Sequence, residues 1–276
     1  MFSLPSAPTV VLTRPEGQNE SLARTLAARG WLVLDAPALR LTPREGPAPD
    51  PADFGLVVFV SGNAVRFFLD KWLASAGPAW SWPRHVAAAV VGPSSGRALR
   101  AHPAFGAAPR VIQPADDSPQ FDSEALWQVL AADPLPARAL IVRGGREGGQ
   151  GSGREWLAER LREAGVVLTV YAAYCRQPHV WSPELLAALR ALARQGRPVT
   201  WLLTSAEGVD AVRAQLSEHG LLDWWADCRL IATHPRIARH LIAVLGQARP
   251  ERGEPPMLQT CAPRDEAILA AIESVS

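Results

Sequence analysis

One pattern occurs twice along the chain and limits what it can fold into. Residues 10–40, VVLTRPEGQNESLARTLAARGWLVLDAPALR, are echoed at residues 139–176 by ALIVRGGREGGQGSGREWLAERLREAGVVLTVYAAYCR. The echo continues in order. VVFVSGNAVRFFL at 57–69 matches TWLLTSAEGVDAVRAQL at 200–216, and AAAVVGPSSGRALRA at 87–101 matches RLIATHPRIARHL at 229–241. Each block is an apolar run, a short Ser/Thr/Gly/Pro turn and an amphipathic stretch, the signature of a strand leading into a helix. Its repetition predicts an α/β protein of two similar doubly wound parallel-sheet lobes, and two lobes imply one cleft. A chain of 276 residues suits two such domains.

Breaks in the pattern suggest where the chain passes between lobes. Residues 39–44 run into the proline-rich PREGPAPDPAD, and residues 176–182 are polar and contain Pro178. Ser61 reads as a helix cap ahead of inward-facing Val65, Phe68, Leu69 and Trp72. Thr204-Ser205-Ala206-Glu207 matches a capping box. From 247 to 263 the composition turns to Pro, Gly, Arg and Glu, which predicts a mobile, peripheral tail before a last short helix at 265–272.

Composition excludes several classes. A formal charge of +1 argues against nucleic-acid binding by bulk electrostatics. Of the 28 basic residues only Lys71 is lysine, which reads as biased codon usage or as a choice of arginine for clamping carboxylates. Cys175, Cys228 and Cys261 are isolated, so neither a disulfide framework nor a zinc site is expected, and a reducing, cytoplasmic setting fits. No leader pattern opens the chain and no apolar run is long enough to span a membrane, so a soluble protein is expected.

The turns carry the candidate chemistry. Ser61-Gly62-Asn63, residues 92–95 with Ser94 and Ser95, Thr204-Ser205, and residues 233–236 with His234 all follow the C-terminal end of a predicted strand. That edge is where ligands bind in doubly wound folds, and such turns offer amides, hydroxyls and positive helix ends. Helix capping alone explains any one of them; together they suit a polyanionic ligand. The Gly-rich stretch 144–153 lacks the Lys-Ser/Thr of a phosphate loop and any GxGxxG, leaving a surface turn or a substrate-facing turn. The histidines are scattered, and nucleophile-elbow, metalloprotease and paired-carboxylate signatures are absent. Tyr174 closes the second long block where a crossing is expected. A phenol there is a proton donor to the cleft or simply a boundary residue.

Taken in order, LTRPEGQNESLARTLAARG, FVSGNAV, VGPSSGRAL, DSEAL, VRGG with GREWLAERLREAG, AAYCRQP, LTSAEGV and ATHPRIA resemble uroporphyrinogen-III synthase over residues 10–246. The resemblance implies two α/β lobes joined by a two-stranded linker. Lobe one is then 1–37 with 178–276, lobe two is 41–172, and the crossings fall near 38–40 and 173–177. It implies a cofactor-free, metal-free monomer that takes a small-molecule tetrapyrrole, hydroxymethylbilane, and closes it to uroporphyrinogen III. It places the candidate acid at Tyr174. It places carboxylate contacts at Arg14, Ser61, Gly62, Asn63, Ser94, Ser95, Arg143, Gly144, Thr204, Ser205 and His234. Three departures stand out: the insertion REGGQGS, the sequence His234-Pro235-Arg236 where small hydroxyl residues are usual, and the tail after Gly246. The rival reading is a two-lobed binding or sensory module that closes on an anion without chemistry.

Overall fold

The computed structural model describes residues 7–106, 110–115, 118, 121–146, 155–196, 199–248 and 257–274. In chain order come β1 (Thr9–Leu12), α1 (Glu20–Ala28), β2 (Leu32–Asp35), β3 (Leu39–Pro43) and a 3-10 turn at Pro51–Asp53. Next are β4 (Leu56–Phe59), α2 (Gly62–Ala76), β5 (Ala87–Val90), α3 (Pro93–Ala101), β6 (Val111–Ile112) and α4 (Ser123–Leu130). Then follow β7 (Arg138–Arg146), α5 (Glu155–Glu163), β8 (Val167–Pro178), α6 (Pro183–Arg194), β9 (Val199–Leu203) and α7 (Ala206–Glu218). The chain closes with α8 (Leu222–Ala226), β10 (Arg229–Ala232), α9 (Pro235–Ala248), β11 (Leu258–Thr260) and α10 (Asp265–Ser274). Met1–Leu41 with Gln177–Ser276 forms unit 1, and Thr42–Arg176 forms unit 2.

The chain passes between units within β3 and β8, which are hydrogen-bonded neighbours. The Arg44 amide donates to the Ala173 carbonyl and the His179 amide to the Ala38 carbonyl, each at 3.0 Å. Rising numbers on one strand meet falling numbers on the other, so this pair is antiparallel. β8 therefore runs on through residues that read as polar connection in the sequence.

Unit 1 is a sheet of order β11-β10-β9-β1-β2 with parallel pairs throughout. Alternation along β1 sends Val11 to one face and Val10 and Leu12 to the other, and both faces are covered, so the strand is buried end to end. On the first face Val11, Trp201, Leu203 and Leu230 pack with Leu189, Val212, Trp225 and Leu241 of the helices α6 to α9. On the second, Val10, Leu12, Leu202 and Ile231 pack with Leu22 and Leu26 of α1 and Ile268 and Ile272 of α10.

That second face corrects the expectation of a peripheral tail. Ile268, Ala271 and Ile272 recur at helical spacing and are buried, while β11 extends the sheet by pairing with β10. Burying one such isoleucine stabilises by about 1.5–3 kcal/mol, so α10 is a structural element of unit 1. Most of the linking stretch, 249–256, lies outside the described residues.

Unit 2 is a sheet of order β3-β8-β7-β4-β5-β6. Leu56, Val58, Ala89 and Ile141 pack on one face with Leu126 and Leu130 of α4 and Leu157 and Leu161 of α5. Phe59 meets Phe68 of α2 edge-on at 5.7 Å and Trp82 at 5.8 Å. Val65, Phe68 and Leu69 are fully buried, whereas Trp72 is half-buried and stacks on Trp80 at 5.4 Å, one turn beyond the part of α2 that the sheet covers.

Each sheet has a point where strand order reverses. In unit 1 it lies between β1 and β9, since β2 continues one way and β10 and β11 the other. In unit 2 it lies between β4 and β7. The space beyond the carboxyl ends of such strands is where open α/β sheets bind ligands.

Candidate functional site

At the switch point of unit 2, β4 runs into Ser61, whose Oγ accepts from the Ala64 amide at 3.1 Å and so caps α2. Gly62 and Asn63 follow in the first turn, both half-buried. On the other side of the switch point the last part of β7 carries Arg143, half-buried, and Gly144. Gly144 lies opposite Tyr174 on β8, and the register shifts there, so that Ala173 is an extra residue between partners. The Tyr174 hydroxyl is 3.4 Å from Ser61 Oγ, and its ring stacks on Phe67 at 5.0 Å and 24°. One strand further on, Gly92 begins α3 with Pro93 in the first turn; Ser94 is exposed at the edge and Ser95 is buried. Residues 147–154, with most of the Gly-rich stretch, lie outside the described residues.

The chain holds two tyrosines, both on β8, and the structure separates them. Tyr171 sits edge-on to Phe68 in the core with its hydroxyl buried and unpartnered, and burial pushes its phenol up, opposed by the Arg44 charge. Tyr174 has a hydroxyl neighbour, Ser61 Oγ. Both rings are buried, and what distinguishes Tyr174 is the hydroxyl beside its own.

In unit 1 the matching strand end is Thr13-Arg14. Thr13 Oγ1 donates to the Leu202 carbonyl at 2.5 Å, tying β1 to β9, and the buried Asn19 donates to Asp35 Oδ1 at 2.6 Å and to the Arg14 carbonyl at 3.3 Å. The Arg14 guanidinium donates to Asp265 Oδ1 of α10 at 2.7 Å. The cation expected to meet a substrate carboxylate thus already holds a carboxylate of its own chain. Asn19 and Asp265, the partners that surround Arg14, were not picked out in the sequence; no local pattern joins positions 14 and 265.

Ser205 Oγ accepts from the Gly208 amide at 3.0 Å, making Ser205 the cap of α7. This corrects the predicted capping box by one residue. Thr204, half-buried, is the last position before the cap, because β9 runs to Leu203 and only Ser205 turns its hydroxyl to the third amide of the helix. His234 is exposed, and its Nδ1 accepts from the Arg236 amide at 3.0 Å. An unprotonated ring nitrogen here caps α9 as a small hydroxyl side chain would.

Helix starts at these edges favour anions. α2, α3 and α9 have no acidic residue in their first turns, so their positive ends are not cancelled, whereas α7 carries Glu207. Three further histidines pair with carboxylates, His240 with Asp210 at 2.8 Å, His102 with Asp70 at 3.0 Å and His179 with Glu16 at 3.6 Å. Among the described residues no group of three or more His, Cys, Asp or Glu converges as a metal site. Nor, among them, is any helix long and apolar enough to cross a membrane.

These features define a class: a protein of two doubly wound α/β units, each presenting capped helix starts at its switch point, with a seated phenol on one of them. The family model for "Uroporphyrinogen-III synthase HemD" matches residues 20–246. The chain belongs to the uroporphyrinogen-III synthase family. A uroporphyrinogen-III synthase of Synechococcus elongatus is 29% identical over 189 residues, an alignment covering 66% of this chain and 66% of that protein. A mutant uroporphyrinogen III synthase of Thermus thermophilus has a similar fold, with TM-score 0.54 at 16% identity over 97% of this chain and 98% of that one. The uroporphyrinogen-III synthetase of Helicobacter pylori gives 0.53 at 15% identity, over 98% of this chain and 100% of that one.

Proposed function

We propose that this chain closes hydroxymethylbilane to uroporphyrinogen III, with loss of water and inversion of the last pyrrole ring, as a cyclising lyase of haem biosynthesis. The observation that carries the reading is the Tyr174 phenol beside Ser61 at a switch point, in a chain whose residues 20–246 match this family. The helix starts of α2, α3 and α9 suit the many carboxylates of such a substrate, with Arg14, Arg143, Ser94, Thr204, Ser205 and His234 as contacts.

Tyr174 gives its proton to the terminal hydroxyl, which leaves as water and takes its bonding pair with it. The remaining azafulvene cation is attacked by the substituted carbon of the last ring. The resulting spiro centre reopens and recloses with that ring inverted, and the proton lost on rearomatisation balances the one the phenol supplied. Direct closure without confinement gives the other isomer. Holding a flexible chain in the productive fold is therefore most of the task, and a single positioned acid supplies the rest. The reading needs no cofactor, and it expects a cytoplasmic monomer.

The test is chemical. Freshly made hydroxymethylbilane is incubated with the protein, the products are oxidised, and isomers III and I are separated. Isomer III, formed faster than spontaneous closure, is the expected result. Isomer I alone, at the spontaneous rate, returns the protein to a binding module.

A further inference from the structure

Gly144 raises a question that backbone conformation does not answer. Its φ is not positive, unlike that of Gly17, Gly30 or Gly165, so an ordinary L-residue could adopt the same backbone. Space is what forbids a side chain. A Cβ at this position would lie 2.5 Å from Tyr174 Cζ and 2.7 Å from its hydroxyl oxygen. At Gly145, one residue on, a Cβ would lie 3.1 Å from the Ala172 Cβ and 3.8 Å from the Tyr174 carbonyl oxygen, looser contacts that leave the ring untouched.

We infer that Gly144 is a positioning residue: its missing side chain, with the extra residue Ala173, seats the Tyr174 ring between β7 and Phe67 and delivers the phenol to Ser61. Three contacts fix the ring. Phe67 covers one face at 5.0 Å, Ser61 meets the hydroxyl at 3.4 Å, and the bare Gly144 backbone receives the ring. The shift in register makes this possible, because Gly144 follows Arg143 in pairing with Tyr174 only after β8 has spent Ala173 unpaired. A bulge of this kind bends a strand and re-aims the next side chain. Gly144 is thus assigned to holding the acid and not to binding the substrate, an assignment that rests on the proposed role of Tyr174.

A double-mutant cycle tests it. Gly144→Ala is expected to slow formation of isomer III by about 100-fold, the scale of a misplacement near 1 Å, with KM changed by less than roughly threefold. In the Tyr174→Phe background the same substitution is expected to do nothing more. Gly145→Ala serves as a control for general damage to β7 and keeps the parent rate. A Gly144→Ala variant as fast as its parent, or one that loses as much again on top of Tyr174→Phe, overturns the inference. Should Gly144→Ala not fold, Phe67→Leu takes its place in the cycle, with the same two outcomes. The seat is also read without activity: in Tyr171→Phe protein labelled with ¹³Cζ-tyrosine, Tyr174 gives the one signal. Gly144→Ala must shift that signal while Gly145→Ala leaves it in place. Wild-type protein that forms only isomer I removes the proposed reaction but leaves the seat to be judged by this spectrum.

Discussion

In unit 1 the switch-point strands β1 and β9 lead to Arg14 and Ser205; in unit 2, β4 leads to Ser61 and β7 carries Gly144 near its end. The two serines do the same work, each capping a helix through the third backbone amide after it. Their neighbours do not. Arg14 is a cation already satisfied by Asp265, whereas Gly144 is a gap that the Tyr174 ring fills. A repeated scaffold keeps the helix starts that attract anions, because any sequence that caps a helix preserves them. The position beside each cap is free to differ, and on the proposed reaction it gives one unit a grip and the other an acid.

The comparison extends to the cores and can be broken there first. Unit 1 is built around Trp201, fully buried among Trp181, Trp224 and Trp225 at about 6 Å between ring centres. Trp201→Ala is expected to cost about 3–5 kcal/mol, measured by urea unfolding. A loss under about 1 kcal/mol would mean that the tryptophan layer does not organise unit 1.

Cys228 in the same core gives an effect that depends on pH and is smaller per pH unit. Burial pushes its thiol from near 9 up to about 12. Between those values the folded protein keeps a proton that the unfolded chain releases, so stability falls as pH rises from 9 toward 12, by up to about 1.4 kcal/mol per pH unit. Cys228→Ala should flatten that part of the profile. An unchanged slope would show that the thiol does not contribute.

The two caps bring the comparison back to the site, with the smallest effect on stability. Ser61→Ala and Ser205→Ala should each cost about 1 kcal/mol, seen as similar shifts in melting. Their kinetics should part: Ser61→Ala lowers kcat through Tyr174, and Ser205→Ala raises KM. Equal changes in both constants for the two variants would erase the distinction between acid and grip.

Strands and helices were legible because doubly covered strands are continuous apolar runs and their helices carry a single apolar stripe, as β4 and α2 illustrate. The switch-point turns were legible for the same reason, since each follows such a run. The tail was not. Its Pro- and Gly-rich composition reads as coil, and the sheet face that needs Ile268 and Ile272 exists only once β1 has inserted between β9 and β2. Asp265 was hidden likewise, being 251 positions from its partner Arg14. The cap at Ser205 differed from the expected Thr204 by one residue, since both carry a hydroxyl and only the end of β9 decides between them. The bulge at Ala173 leaves no trace in a largely apolar run such as VLTVYAAY.

The central claim is that the acid of this protein sits on unit 2, at Tyr174. The most direct test is the single-turnover rate of isomer III formation by Tyr174→Phe beside the wild type, with enzyme in excess of substrate and well above KM. The account predicts a fall of about 100-fold or more, with isomer III still formed faster than spontaneous closure, because confinement survives the loss of one proton donor. A Tyr174→Phe enzyme that runs at the wild-type rate would contradict it.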